Sequence, residues 1–171
     1  MENIPDFNKG KPAIQEFLVK EKPMKKYMVD ASVVFKWYYK QKEEDIIQAE
    51  IIYALLKTKI YLLLAPELLI YEIMNIFRLK QEISIEKVNS IISELYETLI
   101  FISLEKELVE KAFKYSRELD ISFYDSIYVA LSEKYDLFLV SADRKLIDAC
   151  RDTGSKILHI SDFNRSRGTK I

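Results

Sequence analysis

The chain has 171 residues, of which 49% are hydrophobic and 31% charged, with a net charge of −1. That length argues for one domain, and that hydrophobic share excludes a disordered acidic or basic tail protein. One Cys, one His and three widely spaced Gly exclude a disulfide-stapled domain, a Cys/His zinc site, a two-histidine ribonuclease, and P-loop or dinucleotide fingerprints.

The N-terminal residues 1–25 form a polar arm, with three of the four prolines (Pro5, Pro12, Pro23) and Gly10 crowded into it. A short amphipathic piece, Ala13–Lys20, carries Ile14, Phe17 and Leu18 at helical spacing. Glu2 and Asp6 interrupt the start, so no signal peptide is expected. Lys20, Lys22, Lys25 and Lys26 make a basic run suited to a solvated face or to an RNA backbone. At the other end, residues 164–171 read as a basic, frayed tail with Arg165, Arg167 and Lys170.

The body, residues 26–163, alternates short apolar runs with longer periodic stretches. Tyr27–Asp30, Tyr61–Ala65, Ile100–Leu104, Leu137–Ser141 and Ile157–Ile160 are apolar almost throughout, as strands covered on both faces should be. Between them, apolar residues recur at helical period over 43–57, 66–81, 84–98 and about 108–119, with shorter helices expected over 125–135 and 143–150. Glu43, Glu44 and Asp45 are expected to open the first of these, and Ser84 to cap the third. Strand–helix alternation of this kind predicts an α/β sandwich on a mainly parallel sheet with right-handed connections. No apolar run approaches the length of a membrane span, so a cytoplasmic protein is expected. The Lys/Glu-rich composition is of the kind found in heat-adapted proteins.

In open parallel sheets, sites form beyond the carboxyl ends of the strands. The first apolar run ends in Asp30 with Ser32 close behind, and the fourth ends in Ser141 with Asp143 close behind. Glu72 and Asp125 stand in otherwise apolar helical contexts, and Asn75 shares the helix face of Glu72. Capping alone would account for Asp30, Asp125 and Asp143 one at a time, at ~1 kcal/mol each. It gives no reason for the acids to gather at one sheet edge, and it does not explain Glu72.

Val-Asp-Ala-Ser at 29–32, Ala-Pro-Glu-Leu-Leu-Ile-Tyr-Glu-Ile-Met-Asn at 65–75, Tyr-Asp-Ser-Ile-Tyr-Val-Ala-Leu at 124–131 and Leu-Val-Ser-Ala-Asp at 139–143 resemble, in order, the four signature stretches of PIN domains. The likeness is to the stand-alone toxin nucleases of the VapC type. It implies a three-layer α/β/α sandwich with five parallel strands in the order 3-2-1-4-5. It implies an acidic metal pocket at Asp30, Glu72, Asp125 and Asp143, with Ser32 and Ser141 at supporting hydroxyl positions. RNA as substrate, a homodimer and a small antitoxin partner are further implications. The long arm and a Ser at 141, where Thr is more usual, depart from the pattern.

Clustered carboxylates need a counter-charge, and hard oxygen ligands select Mg²⁺ or Mn²⁺. Asp30, Asp125 and Asp143 are expected as direct or water-mediated ligands and Glu72 as a ligand or as the residue that orients the attacking water, with Ser32, Asn75 and Ser141 bracing them. Arg144 and Lys145 are candidate phosphate contacts. His159 is expected to face solvent or a helix, and Cys150 to be a small buried hydrophobe. Tyr53, Tyr71, Phe77 and Tyr96 exceed what one small core can hide, which suggests a dimer face or an antitoxin groove. The arm is a candidate to cross that groove or to exchange with a dimer mate. The leading functional reading is a metal-dependent endoribonuclease toxin. The alternatives are an RNA-processing or structure-specific DNA nuclease on the same scaffold, or a catalytically silent binding module.

Overall fold

The computed structural model describes residues 25–41, 43–58 and 61–163; the arm, the N-terminal part of the basic run and the tail lie outside them. Strand β1 (Lys25–Val29) is followed by helices α1 (Ala31–Tyr38) and α2 (Ile46–Lys57). Strand β2 (Tyr61–Pro66) leads to α3 (Leu68–Phe77) and α4 (Ile85–Thr98). Strand β3 (Ile100–Ile102) leads to α5 (Lys106–Glu118) and α6 (Phe123–Lys134). Strand β4 (Phe138–Ser141), α7 (Arg144–Ala149), β5 (Ile157–His159) and a 3₁₀ turn over Ile160–Asp162 close the body.

All five strands pair in parallel, in the order β3-β2-β1-β4-β5. This is the α/β sandwich and the strand order expected. Right-handed crossovers place α1 to α4 on one face of the sheet and α5 to α7 on the other. The central strands are apolar on both faces because both are covered: Met28, Val29, Leu63, Leu64, Leu139 and Val140 are buried to within about 1% of full. Helix α6 is the most enclosed, with every residue from Ser126 to Ser132 buried. It lies across β1, β2 and β4 beneath α5. A helix apolar nearly all round must be buried all round, which explains its weak amphipathic period.

Several boundaries differ from the sequence expectation. The third strand stops at Ile102 rather than Leu104, because only Ile100 to Ile102 lie in register beside β2. Helix α2 begins at Ile46, not Glu43; Asp45 precedes it in left-handed backbone (φ 53°) and makes no side-chain cap. Glu43 is instead drawn to the buried Lys36 on α1 at 2.5 Å. Ser84 caps α4 as expected, accepting from the Lys87 amide. Phe77 is buried in the core, whereas Tyr71 and Tyr96 are 73% and 58% exposed. His159 is buried: its Nδ1 meets the Ser161 hydroxyl at 2.7 Å, and its Nε2 faces Asp45 at the start of α2, 3.9 Å away. Cys150 is buried at the end of α7, as expected of a small hydrophobe.

The order 3-2-1-4-5 makes β1 and β4 the adjacent strands whose outgoing chains diverge to opposite faces. Such a divergence opens a crevice above the strand ends, where ligands of open α/β sheets bind.

Candidate active site

Asp30 follows β1, and its backbone amide still bonds the Val140 carbonyl of β4 at 3.1 Å. This ladder contact holds Asp30 beside Ser141, the last residue of β4. Ser141 Oγ donates to Asp30 Oδ2 at 2.5 Å, and Ser32 Oγ donates to the same oxygen at 2.9 Å. The Ser32 amide adds a bond to Asp30 Oδ1 at 3.3 Å. Asp30 therefore does cap α1, as the capping reading anticipated. It is also buried, only 5% exposed, and carries more hydrogen bonds than a cap requires. The two serines are themselves fixed: the Ala142 amide donates to Ser32 Oγ and the Asp143 amide to Ser141 Oγ, both at 3.0 Å.

Asp143 caps α7, accepting from the Lys145 and Leu146 amides at 2.8 and 3.3 Å. Asp125 does not cap α6. Ser122 holds that place, accepting from the Asp125 amide at 3.0 Å and donating its hydroxyl to Asp125 Oδ2 at 2.7 Å. The arrangement is a capping box, and the spacing Ser-x-x-Asp was its signal in the sequence. Glu72 accepts from the Tyr128 hydroxyl at 2.6 Å. Asn75 does not brace Glu72: its Oδ1 accepts from Arg78 Nε at 3.3 Å, on the exposed side of α3. The bracing residue missed in the sequence is Tyr128. Its helical spacing of three from Asp125 was visible, but its aim at an acid fifty-six residues away was not.

Electrostatics ties the four acids together. Burial raises the Asp30 carboxyl above its ordinary range; the hydroxyls of Ser141 and Ser32 oppose that, and Asp125 adds to it. Burial pushes Glu72 up to about 7, the Tyr128 hydroxyl works against the shift, and the charges of Asp30 and Asp125 reinforce it. Burial raises Asp125 as well, with Ser122 opposing and Asp143 adding. Burial likewise raises the Cys150 thiol, again with a contribution from Asp125. Among the described residues no Lys or Arg acts on Asp30, Glu72 or Asp125 and none pairs with them. The acids thus repel one another within a half-buried crevice, with no Lys or Arg among the described residues to offset them.

The oxygen donors suit a hard divalent cation. Among the described residues, no three His, Cys, Asp or Glu side chains converge closely enough to form a ready coordination shell. The reason is local. Like charges keep apart, and each carboxylate is turned to its own donors: Ser32 and Ser141, Tyr128, Ser122, or the first amides of α7. Arg144 and Lys145 stand exposed at the start of α7.

The model of the PIN domain matches residues 27–152, which span β1 through α7. The chain belongs to the PIN domain family. No curated protein matches it. Among solved structures, this PIN domain superposes on PAE2754 from Pyrobaculum aerophilum with a TM-score of 0.63 at 18% identity, covering 88% of this chain and 95% of that one. It superposes on VapC20 of Mycobacterium tuberculosis, described as a sarcin–ricin loop cleaving toxin, with a TM-score of 0.59 at 16% identity, covering 72% and 94%. A third neighbour is VapBC2 of Rickettsia felis, solved bound to a DNA fragment from its promoter, with a TM-score of 0.57 at 13% identity, covering 78% and 98%. At these identities the likeness is one of fold. Among the described residues, no helix is long and apolar enough to cross a membrane.

Proposed function

We propose that this PIN domain is a divalent-cation-dependent endoribonuclease and the toxin of a toxin–antitoxin pair. The observation that carries the reading is the set of four acids, gathered by fold and not by sequence, which share one field with no basic partner among the described residues. Stability alone gives no reason to keep such a set, because each buried carboxylate costs free energy unless a cation offsets it.

Asp30, Asp125 and Asp143 would hold Mg²⁺ or Mn²⁺, with Glu72 as a further ligand or as the base. The bound ion would supply charge neutralisation, orientation of the scissile phosphate and a more acidic water. The chain's own residues do the rest. Ser32 and Ser141 keep Asp30 oriented and favour its anion against the effect of burial. The Tyr128 hydroxyl holds the Glu72 carboxylate in place, where it could take a proton from water. Arg144 and Lys145, outside the repelling cluster, can meet substrate phosphate.

The toxin reading draws on the kind of structural neighbours found and on the exposed apolar side chains of α3, α4 and the loop between them. Leu79 and Ile85 are 67% and 75% exposed beside a groove formed by Met74, Phe77, Ile83 and Val88. Such a surface fits a second copy of the chain or an antitoxin segment. The test is incubation of the purified chain with labelled RNA in Mg²⁺ or Mn²⁺ and in EDTA. The expected result is internal cleavage that EDTA abolishes. Cleavage that survives EDTA would overturn the metal mechanism, and absence of any cleavage would overturn the enzyme reading.

A further inference from the structure

Two tyrosines stand one residue before the two acids that come from helices: Tyr71 before Glu72, and Tyr124 before Asp125. Both are exposed, Tyr71 by 73% and Tyr124 by 56%, although their neighbouring acids are turned inward. One residue is about 100° of helical turn, so each ring sits beside its acid and faces outward. Tyr124 also lies one turn from Tyr128 on the same face of α6, and the Tyr128 hydroxyl bonds Glu72. Tyr124 thus stands at the exposed N-terminal end of the α6 face that carries Tyr128. On α3, Tyr71, Asn75 and Arg78 follow at spacings of four and three and so form one outward stripe. Asn75 steadies Arg78 within it. Across the crevice, Arg144 and Lys145 are exposed at the start of α7.

Exposed aromatic rings flanked by cations, around a mouth whose interior is acidic, have the chemistry of a single-strand platform. Unpaired bases stack on the rings while the cations take the phosphates. A duplex hides its base faces and cannot use the rings. We infer that Tyr71 and Tyr124 are stacking platforms that hold unpaired bases on either side of the acidic crevice, with Arg78, Arg144 and Lys145 taking the flanking phosphates. This deepens the nuclease reading and rests on it.

The experiment measures binding by the full chain, in EDTA so that no cleavage intervenes. The probes are a labelled single-stranded oligoribonucleotide, its duplex, and the same backbone made abasic. Tyr71→Ala and Tyr124→Ala should each weaken single-strand binding about tenfold, while the corresponding Phe variants bind as the unaltered chain does. Binding to the duplex and to the abasic strand should change less than about twofold, and thermal stability should hold because neither ring is in the core. Equal losses for single strand, duplex and abasic strand would overturn the stacking role. So would unchanged binding in both Ala variants, and a changed molecular mass beside it would assign the rings to a protein interface. Failure of the unaltered chain to bind any of the probes would overturn this inference, whereas the nuclease reading stands or falls on the cleavage assay in Mg²⁺ or Mn²⁺.

Discussion

Glu94 and Glu72 each accept a hydrogen bond from a tyrosine hydroxyl, yet their acidities move in opposite directions. Glu94 on α4 accepts from Tyr53, and Lys57 Nζ lies 2.5 Å from the same carboxylate. Burial pushes Glu94 up, but Lys57 with the hydroxyls of Tyr53 and Tyr38 outweighs it, and the carboxyl ends below its ordinary range. Glu72 on α3 accepts from Tyr128 and is pushed up to about 7. The hydroxyl is common to both, so it does not decide the direction. The sign of the neighbouring charge and the depth of burial decide it. Glu94 has a lysine, while Glu72 has Asp30 and Asp125. The first carries its own counter-charge; the second has none among the described residues.

The largest effect expected on this contrast comes from Asp30→Asn. The amide oxygen keeps the cap of α1, and the amide NH₂ can donate to Ser32 and Ser141 once their hydroxyls turn to accept, so the fold should persist. Cleavage of labelled RNA should fall more than about a hundredfold, beyond the range usual for residues that only brace ligands. Retained cleavage would remove Asp30 from the machinery.

Tyr128→Phe removes the hydroxyl that holds the Glu72 pKa down. Activity should fall about tenfold, and the acid limb of the rate profile should move to higher pH. A profile measured from pH 5 to 9 decides it; an unmoved limb would leave Tyr128 as core only.

A third effect is on stability. The Glu72 pKa rises from its ordinary 4.5 to about 7 on folding. Between these values the folded state binds more protons than the unfolded one. This stabilisation is present in full below about pH 4.5 and is lost as pH rises through about 7. The urea midpoint of the metal-free chain should carry this downward contribution, and Glu72→Gln should flatten it. A midpoint whose fall across that window is the same in the variant would contradict the assignment.

The smallest effect is expected at the contrasting site. Lys57→Met removes the cation from Glu94, yet the Lys57 side chain is 43% exposed and the pair is screened. The loss should stay under ~1 kcal/mol in a urea melt, with RNA cleavage unchanged. The lowered Glu94 pKa contributes stability above its unfolded value, so the loss should show at neutral pH and fade in acid.

Much of this was legible in the sequence because it is local. Strands covered on both faces leave unbroken apolar runs, and Asp30, Ser84 and Asp143 sit where caps belong. Ser122 was equally legible from its capping-box spacing. What could not be read depends on elements meeting in space. Glu43 leaves its expected helix because the buried Lys36 needs a counter-charge. Asn75 turns to Arg78, while Tyr128 reaches Glu72 across the interface of two helices. The acids were picked out one at a time, but their shared field exists only once β1, α3, α6 and β4 come together.

The central claim is that these acids await a divalent cation. Its most direct measurement is the thermal midpoint of the full chain at pH 7.5, with EDTA and then with rising Mn²⁺, beside Asp30→Asn. The account predicts that Mn²⁺ raises the midpoint of the unaltered chain in a saturable manner and leaves the variant's midpoint in place. No rise, or an equal rise in the variant, would contradict it.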